Sequence, residues 1–491
     1  MDNHTIVKTL GAYVDLMTLH DENEFKVKSY SNALFNLERY NESLYLMKID
    51  ELEEIQGVGK STAKSIDELI QKGEIEALEV LKEKTPAGIM DMLKIKGLGT
   101  KKIKTIWQQM GIEDTTALLE AIEKGELSKI KGFGEKTAQN IKEVLLFLEA
   151  NKYKLYFAEA EKIATNLCET IRKKFPDNFV EISGEVRRKL EIVNTLTLVV
   201  GTDAKKEVID YLNTLPSLIY DEQHSGPQNW RGTLQKGGTP VIFKFSVKKN
   251  YFATLLSTSS APVHLSQIIK ESLTLNHILL HNTIGSEEEA YHIAGVPFIA
   301  PEIREGQFEW EAALKNELPK LVEMNDLKGV LHNHSTWSDG KHSLEEMAYY
   351  CQELGYNYLG ISDHSTSAFY YANGLNKERV AAQHLEIDQL NAKMGSFKIF
   401  KGIESDILAD GRLDYDDDVL ASFDFIVSSI HSGLSMDKNK ATERLLTAIA
   451  NPFTTMLGHP TGRLLLQRKG YPIDHKTIID ACAEYGVIIE I

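Results

Sequence analysis

The side chains best suited to chemistry in this 491-residue chain lie in its last third. His332 and His334 stand two apart in HNHSTWSDG, with Asp339 close behind. Asp363 and His364 follow in ISDHS, Glu404 in GIESDIL, His431 in SSIHSG and His459 in GHPTGR. Imidazoles and carboxylates together are the ligands of Zn2+, Mn2+ or Fe2+. Cations held by such a set polarise a phosphoester and acidify a water that attacks it in line. A single histidine is ordinarily a satisfied surface or core residue. The argument for a site is that these residues recur at corresponding places in a repeating pattern.

That pattern is an alternation of strands and helices from about residue 325 onward. The runs GVLH, YLGIS, FKIFKGI, FDFIVSSI, TTMLG and GVIIEI read as strands, and SLEEMAYYCQELG, NKERVAAQHLEIDQLNAKMG and KATERLLTAIA read as helices between them. Such β/α alternation predicts a parallel sheet closing toward a barrel. The strand C-termini of a β/α barrel converge on one face. His332, His334, Asp339, His364, Glu404, His431 and His459 are therefore expected to meet as metal ligands. His332, His334, Glu404 and His431 are expected to carry catalysis, with Glu404 shared between two ions. Asp363 is expected to orient a neighbour rather than bind metal, and His342 to lie at the surface.

The first 150 residues carry a different signal, a pattern repeated three times. LEEIQGVGKSTAKSI, MLKIKGLGTKKIKTI and LSKIKGFGEKTAQNI each place Gly-apolar-Gly ahead of an apolar-periodic helix. The glycines are Gly57 and Gly59, Gly97 and Gly99, Gly132 and Gly134, and Lys60, Lys101 and Lys136 lie just beyond them. A glycine turn opening a helix aims free amides outward at its positive end, a site for one phosphate without sequence readout. The same stretch could be a plain helix connection, but three copies in matching apolar frames favour DNA backbone binding. Residues 94–107 add five lysines and no acid.

Composition limits the alternatives. The formal net charge is −16, so attraction to a polyanion has to be local. Three distant cysteines, Cys168, Cys351 and Cys482, argue against a disulfide framework or a thiolate zinc site. Neither a spanning apolar run nor a secretory leader is evident, which points to a cytoplasmic protein with no membrane partner.

Residues 151–320 complete a resemblance. Alternating strands in NFVEISGEVRRKLEIVNTLTLVVGT and TPVIFKFSVKK follow the glycine hairpins, and Gly184, Arg187 and Arg188 form a Gly-x-x-Arg-Arg element. This order, ending in GVPFIAPEIRE, resembles bacterial family X DNA polymerases, with helix-hairpin-helix motifs, a nucleotidyltransferase palm and a thumb. The later motifs resemble the polymerase-and-histidinol-phosphatase (PHP) domain that follows the palm in that family. The resemblance implies a multidomain α+β and α/β protein ending in a distorted (β/α)7 barrel with up to three ions, Zn2+ and/or Mn2+. It implies a DNA repair role, with 3′–5′ exonuclease or phosphatase-type activity. The expected partners are gapped, nicked or 3′-ended DNA, met by a nucleoid-associated monomer.

The departures from the family matter as much. The palm aspartates that hold catalytic Mg2+ fall by register on Thr195 and Thr197, and a third on Ile242. A hydroxyl is a poor ligand for a hard cation, so templated nucleotide addition is expected to be lost, with Mg2+ relevant only if it survives. A serine that contacts the incoming triphosphate is Glu185 here, and a lyase lysine is Ser65, beside Lys64. The family's closing Asp-x-His strand has no match before Ile491, so an incomplete barrel or closure by a partner is expected. The division expected is 1–85 and 86–150 for the hairpins, 151–260 for the palm, 261–320 for the thumb and 325–491 for the PHP region. An active repair polymerase, a non-catalytic DNA scaffold and a small-molecule phosphatase are the competing readings.

Overall fold

The computed structural model describes every residue except Asp2, Glu38, Arg39, Asn41, Glu42, Lys96 and Gly97, and the side chain of His4. Gly97 of the second hairpin thus lies outside the described residues. Two compact units emerge: residues 1–147 with 324–463 and 469–491, and residues 148–323 with 464–468. Among the described residues, no helix is long and apolar enough to cross a membrane.

The first unit begins with helices Asn3–Leu19 and Glu24–Leu37. The glycine motifs then open the helices Lys60–Lys72, Thr100–Met110 and Glu135–Asn151. Each helix turns its periodic apolar residues inward: Ala63, Ile66 and Leu69, then Ile103 and Ile106, then Ala138, Ile141 and Leu145 are buried. That spacing of three to four residues is one face of a helix, so burial of this stripe rather than propensity holds these short elements.

The second unit holds a two-stranded ribbon of β1 (Leu155–Tyr156) and β3 (Ile192–Val193). Its main sheet runs β2 (Phe179–Ser183), β4 (Leu196–Gly201), β7 (Pro240–Ser246), β6 (Asn229–Leu234), β5 (Leu218–Tyr220). β4 and β7 pair in parallel and the other neighbours antiparallel. The expected turn between the first two long strands contains a short helix, Gly184–Arg187. A helical region follows, with a fully buried polar knot. His264 Nδ1 donates to Glu309 Oε1 at 2.7 Å, its Nε2 accepts from the Tyr291 hydroxyl at 3.0 Å, and its ring stacks on Trp310. Burial pushes the His264 imidazole down to about 4, so it is neutral.

Returning to the first unit, six parallel strands follow one another across a curled sheet: β8 (Gly329–Asn333), β9 (Tyr358–Ile361), β10 (Lys398–Asp406), β11 (Phe425–Ser429), β12 (Met456–Leu457) and β13 (Ile488–Ile489). Helices Leu344–Glu353, Lys377–Lys393, Lys438–Ile449 and His475–Tyr485 connect them. Short apolar strands read as near-continuous hydrophobic runs because both faces are covered, as in β11, whose five residues are all buried. The sheet is a half-barrel with β8 and β13 at its edges. The three cysteines are free and buried.

Candidate metal centre

Five of the six strands of the half-barrel deliver a polar side chain to one cluster at their C-terminal ends, centred on the carboxylate of Glu404 on β10. Glu404 is 1% exposed. Its Oε1 lies 3.0 Å from His332 Nε2, 3.1 Å from His431 Nε2 and 2.9 Å from His459 Nε2. Its Oε2 lies 3.1 Å from His364 Nδ1 and 3.5 Å from His334 Nε2. Asp339 completes the ring, 3.3 Å from His334 Nδ1 and 3.7 Å from His364 Nε2. The sequence-predicted ligands thus come together from five strand ends. His342 is exposed, as expected.

Local backbone explains how two of them reach inward. β8 breaks register between Val330 and Asn333, and His332 takes a left-handed φ of 57°. His459 is also left-handed, at φ 25°. Such conformations cost non-glycine residues energy and persist where surrounding contacts over-determine them. Gly340 in the loop after β8 is required sterically, because a Cβ there would stand 2.1 Å from the His334 carbonyl oxygen.

Electrostatics fit cations. Burial opposes a bare carboxylate, yet the hydrogen bonds from His332, His431 and His459 hold Glu404 far below the usual carboxylate range. Burial opposes charge on His332 and His431 too, but their acidic neighbours raise both to about 9. Positive charge is therefore favoured here, and metal ions would replace these protons. His364 behaves differently: burial lowers it to about 4, and its Nδ1, 3.1 Å from Glu404 Oε2, is not aligned for a hydrogen bond. A neutral imidazole is the form that binds a metal ion. Three overlapping groups have ligand atoms within 4.8 Å of one another: His332, His334 and Glu404; His334, Asp339 and His364; His364, Glu404 and His431.

Two orienting residues escaped the sequence reading. Asp406 hydrogen-bonds His431 Nδ1, and Glu490 lies 2.6 Å from His332 Nδ1 while accepting from the His459 amide at 2.8 Å. Carboxylates on the second imidazole nitrogen fix its tautomer and sharpen the first as a ligand. Asp363 is fully buried and accepts from Ser335 N, Ser335 Oγ, Ser338 N and Gln383 Nε2, which ties down the loop that carries His334 and Asp339.

The described glycines of the hairpins take turn and cap conformations. Gly57 and Gly132 adopt φ of 83° and 96°, which glycine allows without strain. Gly59 and Gly99 cap the following helices with extended backbone, and Gly134 directly precedes the third. The opening amides of each helix have no helical acceptor. Lys60, Lys101 and Lys136 are exposed beside them. Part of the lysine-rich run is neutralised: Lys94 pairs with Asp91, and Lys104 with Asp21.

Family models match both regions. A helix-hairpin-helix domain model matches residues 1–75, a SAM-like helix-hairpin-helix tandem matches 89–145, and the PHP domain model matches 331–491. The chain is 35% identical to the DNA polymerase/3′-5′ exonuclease PolX of Bacillus subtilis, aligned over 100% of this chain and 87% of that protein. The chain belongs to the bacterial PolX family. Over shorter stretches the chain is also similar to proteins named probable phosphatases. The one from Caldanaerobacter subterraneus is 34% identical over 20% of this chain and 38% of its own length. The one from Caldicellulosiruptor bescii is 31% identical over 30% and 58%.

In the second unit of this PolX member, the positions expected to form a palm site are bound up with one another. Thr195 precedes β4, Thr197 lies on it, and Thr197 pairs in register with Ile242 of β7, so the three positions are adjacent without a carboxylate among them. The acid at Glu185 is engaged by backbone amides. Its Oε2 accepts from Asn194 N at 2.5 Å and Thr195 N at 3.1 Å, and its Oε1 from Asn194 Nδ2 at 2.8 Å. Arg187 is held by Glu287 and Ser259, and Arg188 by Glu305 at 2.7 Å. Gly184 packs so closely on Thr197 that a Cβ would stand 2.9 Å from the Thr197 Cβ. Ser65 is buried and bonded to the Tyr30 hydroxyl at 2.8 Å, while Lys64 is exposed.

Proposed function

We propose that this chain grips DNA through its glycine hairpins and hydrolyses phosphoesters at the Glu404 cluster, as a 3′–5′ exonuclease or 3′-phosphatase in DNA repair, with a palm that no longer adds nucleotides. The observation that carries the reading is the convergence of five imidazoles on one buried carboxylate. His332, His334, Asp339, His364, Glu404, His431 and His459 would hold Zn2+ and/or Mn2+, with Glu404 shared between ions. Bound cations would supply Lewis-acid polarisation of the ester and acidification of the attacking water. The chain's own residues prepare the site: Asp406 and Glu490 aim His431 and His332, and Glu404 is held buried and anionic among them. The amides and lysines at Gly57, Gly59, Lys60, Gly97, Gly99, Lys101, Gly132, Gly134 and Lys136 would hold phosphates irrespective of sequence. For the palm, the support is the absence of acids at Thr195, Thr197 and Ile242, and the anion already seated on the Asn194 and Thr195 amides.

The test combines metal analysis with a nuclease assay on 3′-ended DNA. Replacing His332 and His334 together by alanine should abolish metal-dependent cleavage and leave DNA affinity within about twofold, since phosphate contacts dominate that affinity. Unchanged cleavage in this variant would remove the cluster as the reaction site. The resemblance of shorter stretches of the chain to proteins named probable phosphatases favours a second reading, hydrolysis of small phosphate esters. A gel shift with nicked and gapped duplex at increasing salt separates the two, because that reading requires no DNA affinity.

A further inference from the structure

Directly after His364 the chain makes an excursion that closes on itself. Leu375 N donates to the His364 carbonyl at 2.8 Å, and Ser365 bridges Leu375, so residues 366–374 form a loop pinched at the metal-centre end. The loop is pinned. Ser367 N donates to Asp414 Oδ2 at 2.6 Å, Thr366 Oγ1 to the Leu375 carbonyl at 2.8 Å, and Arg379 to the Asn373 carbonyl at 2.8 Å. Ala368 and Ala372 are buried as its feet. Between them stand three consecutive aromatic residues, Phe369, Tyr370 and Tyr371, with exposures of 47%, 80% and 59%.

These residues open the one-turn helix Phe369–Ala372, the Phe369 and Tyr370 rings meeting edge to face at 5.5 Å, and large rings exposed together mark an interaction site rather than a folding need. What they meet is indicated by continuity with the centre. The Tyr371 ring lies edge-on to His364 at 6.2 Å and to His431 at 6.4 Å, and its hydroxyl donates to Asp406 Oδ2 at 3.2 Å. A base resting on Tyr371 therefore lies within about two nucleotide rises of the ligand cluster, at roughly 3.4 Å per nucleotide. The exposed surface is aromatic, not aliphatic, and is flanked by exposed Thr366 and Ser367 and half-buried Asn373. That composition suits the faces of unpaired bases with a sugar-phosphate edge alongside.

We propose that Phe369, Tyr370 and Tyr371 form a stacking platform for the last unpaired bases of a single-stranded DNA end whose backbone the Glu404 cluster hydrolyses. The proposal rests on the phosphoesterase reading and names its substrate class: an unpaired terminus, gripped by base faces, rather than a free phosphate ester. Because every base offers a face, the platform is tolerant of sequence.

The test separates stacking from hydrolysis. The full chain is titrated, in EDTA so that no cleavage occurs, with a single-stranded oligonucleotide bearing 2-aminopurine as its terminal base. Binding should quench the fluorescence severalfold, and Phe369→Ala with Tyr370→Ala should remove the quench and weaken binding about tenfold. Phe369→Leu with Tyr370→Leu, which keeps apolar bulk without a ring face, should behave like the alanine pair, and Tyr370→Trp should retain the quench. An oligonucleotide ending in an abasic sugar should bind the native chain as weakly as the alanine variant binds the intact one. A quench that persists in both double variants, or no dependence on the terminal base, would overturn the platform and leave these rings to a protein partner. A quench of the expected kind without metal-dependent hydrolysis would support the platform while removing the phosphoesterase reading.

Discussion

At the scale of single residues, Asp406 shows how much of the centre's quality resides outside its ligands. It hydrogen-bonds the far nitrogen of His431 and accepts from Tyr371. Asp406→Asn keeps the shape but loses the charge that steadies the imidazole. Cation affinity, measured by titration with a chromophoric chelator competitor, should fall 10- to 100-fold, and excess metal should restore hydrolysis. Asp406 and Glu490 were invisible to sequence reading because their meaning is a contact with an imidazole on another strand, and no spacing records it. The residues of the cluster were legible because they sit at the ends of five apolar runs. His264 supports a second residue-scale prediction. Burial keeps it neutral in the fold, with a folded value of about 4 against 6.5 for the unfolded chain. Its contribution to stability is complete above pH 6.5 and is lost as pH falls toward 4, because only the unfolded chain gains the proton. The loss is about 3 kcal/mol. Thermal melting of the native chain and of His264→Gln should show a stability difference that narrows by about that amount between pH 6.5 and 4. A constant difference would refute this assignment.

At the scale of elements, the glycine hairpins and the half-barrel were readable from local pattern, since helix entry, left-handed turns and buried strands leave signatures within a dozen residues. The second unit was half-readable. Its strands stand in the sequence, but the partners of Arg187 and Arg188, namely Glu287 and Glu305, lie roughly a hundred residues downstream and are joined only by folding. These pairs lead to a specific expectation. Installing acids by Thr195→Asp, Thr197→Asp and Ile242→Asp should still give no primer extension with Mg2+ or Mn2+. Glu185 occupies the two amides beside them, and repulsion between carboxylates would further disfavour an incoming triphosphate. Extension by that triple variant, with Glu185 untouched, would show that the seated carboxylate is no obstacle.

At the scale of the whole molecule, the net charge of −16 and the local lysines set opposite tendencies. Association with DNA should depend steeply on salt, because screening removes the few favourable phosphate contacts. Removing Lys60, Lys101 and Lys136 together should lower the slope of log K against log salt by up to about 0.9 for each lysine that meets a duplex phosphate. An unchanged slope would mean that other residues hold the backbone. The curled sheet carries a further consequence. Its first and last strands do not pair, yet His332 of one is joined to Glu490 beyond the other. Cations gripping His332 and His459 would thereby clasp the two margins of the half-barrel. Metal loading should slow deuterium uptake at the amides of Ile488 and Glu490, which bond to Thr455 and Leu457, so the ions would act as a rivet for the fold as well as reagents for the reaction.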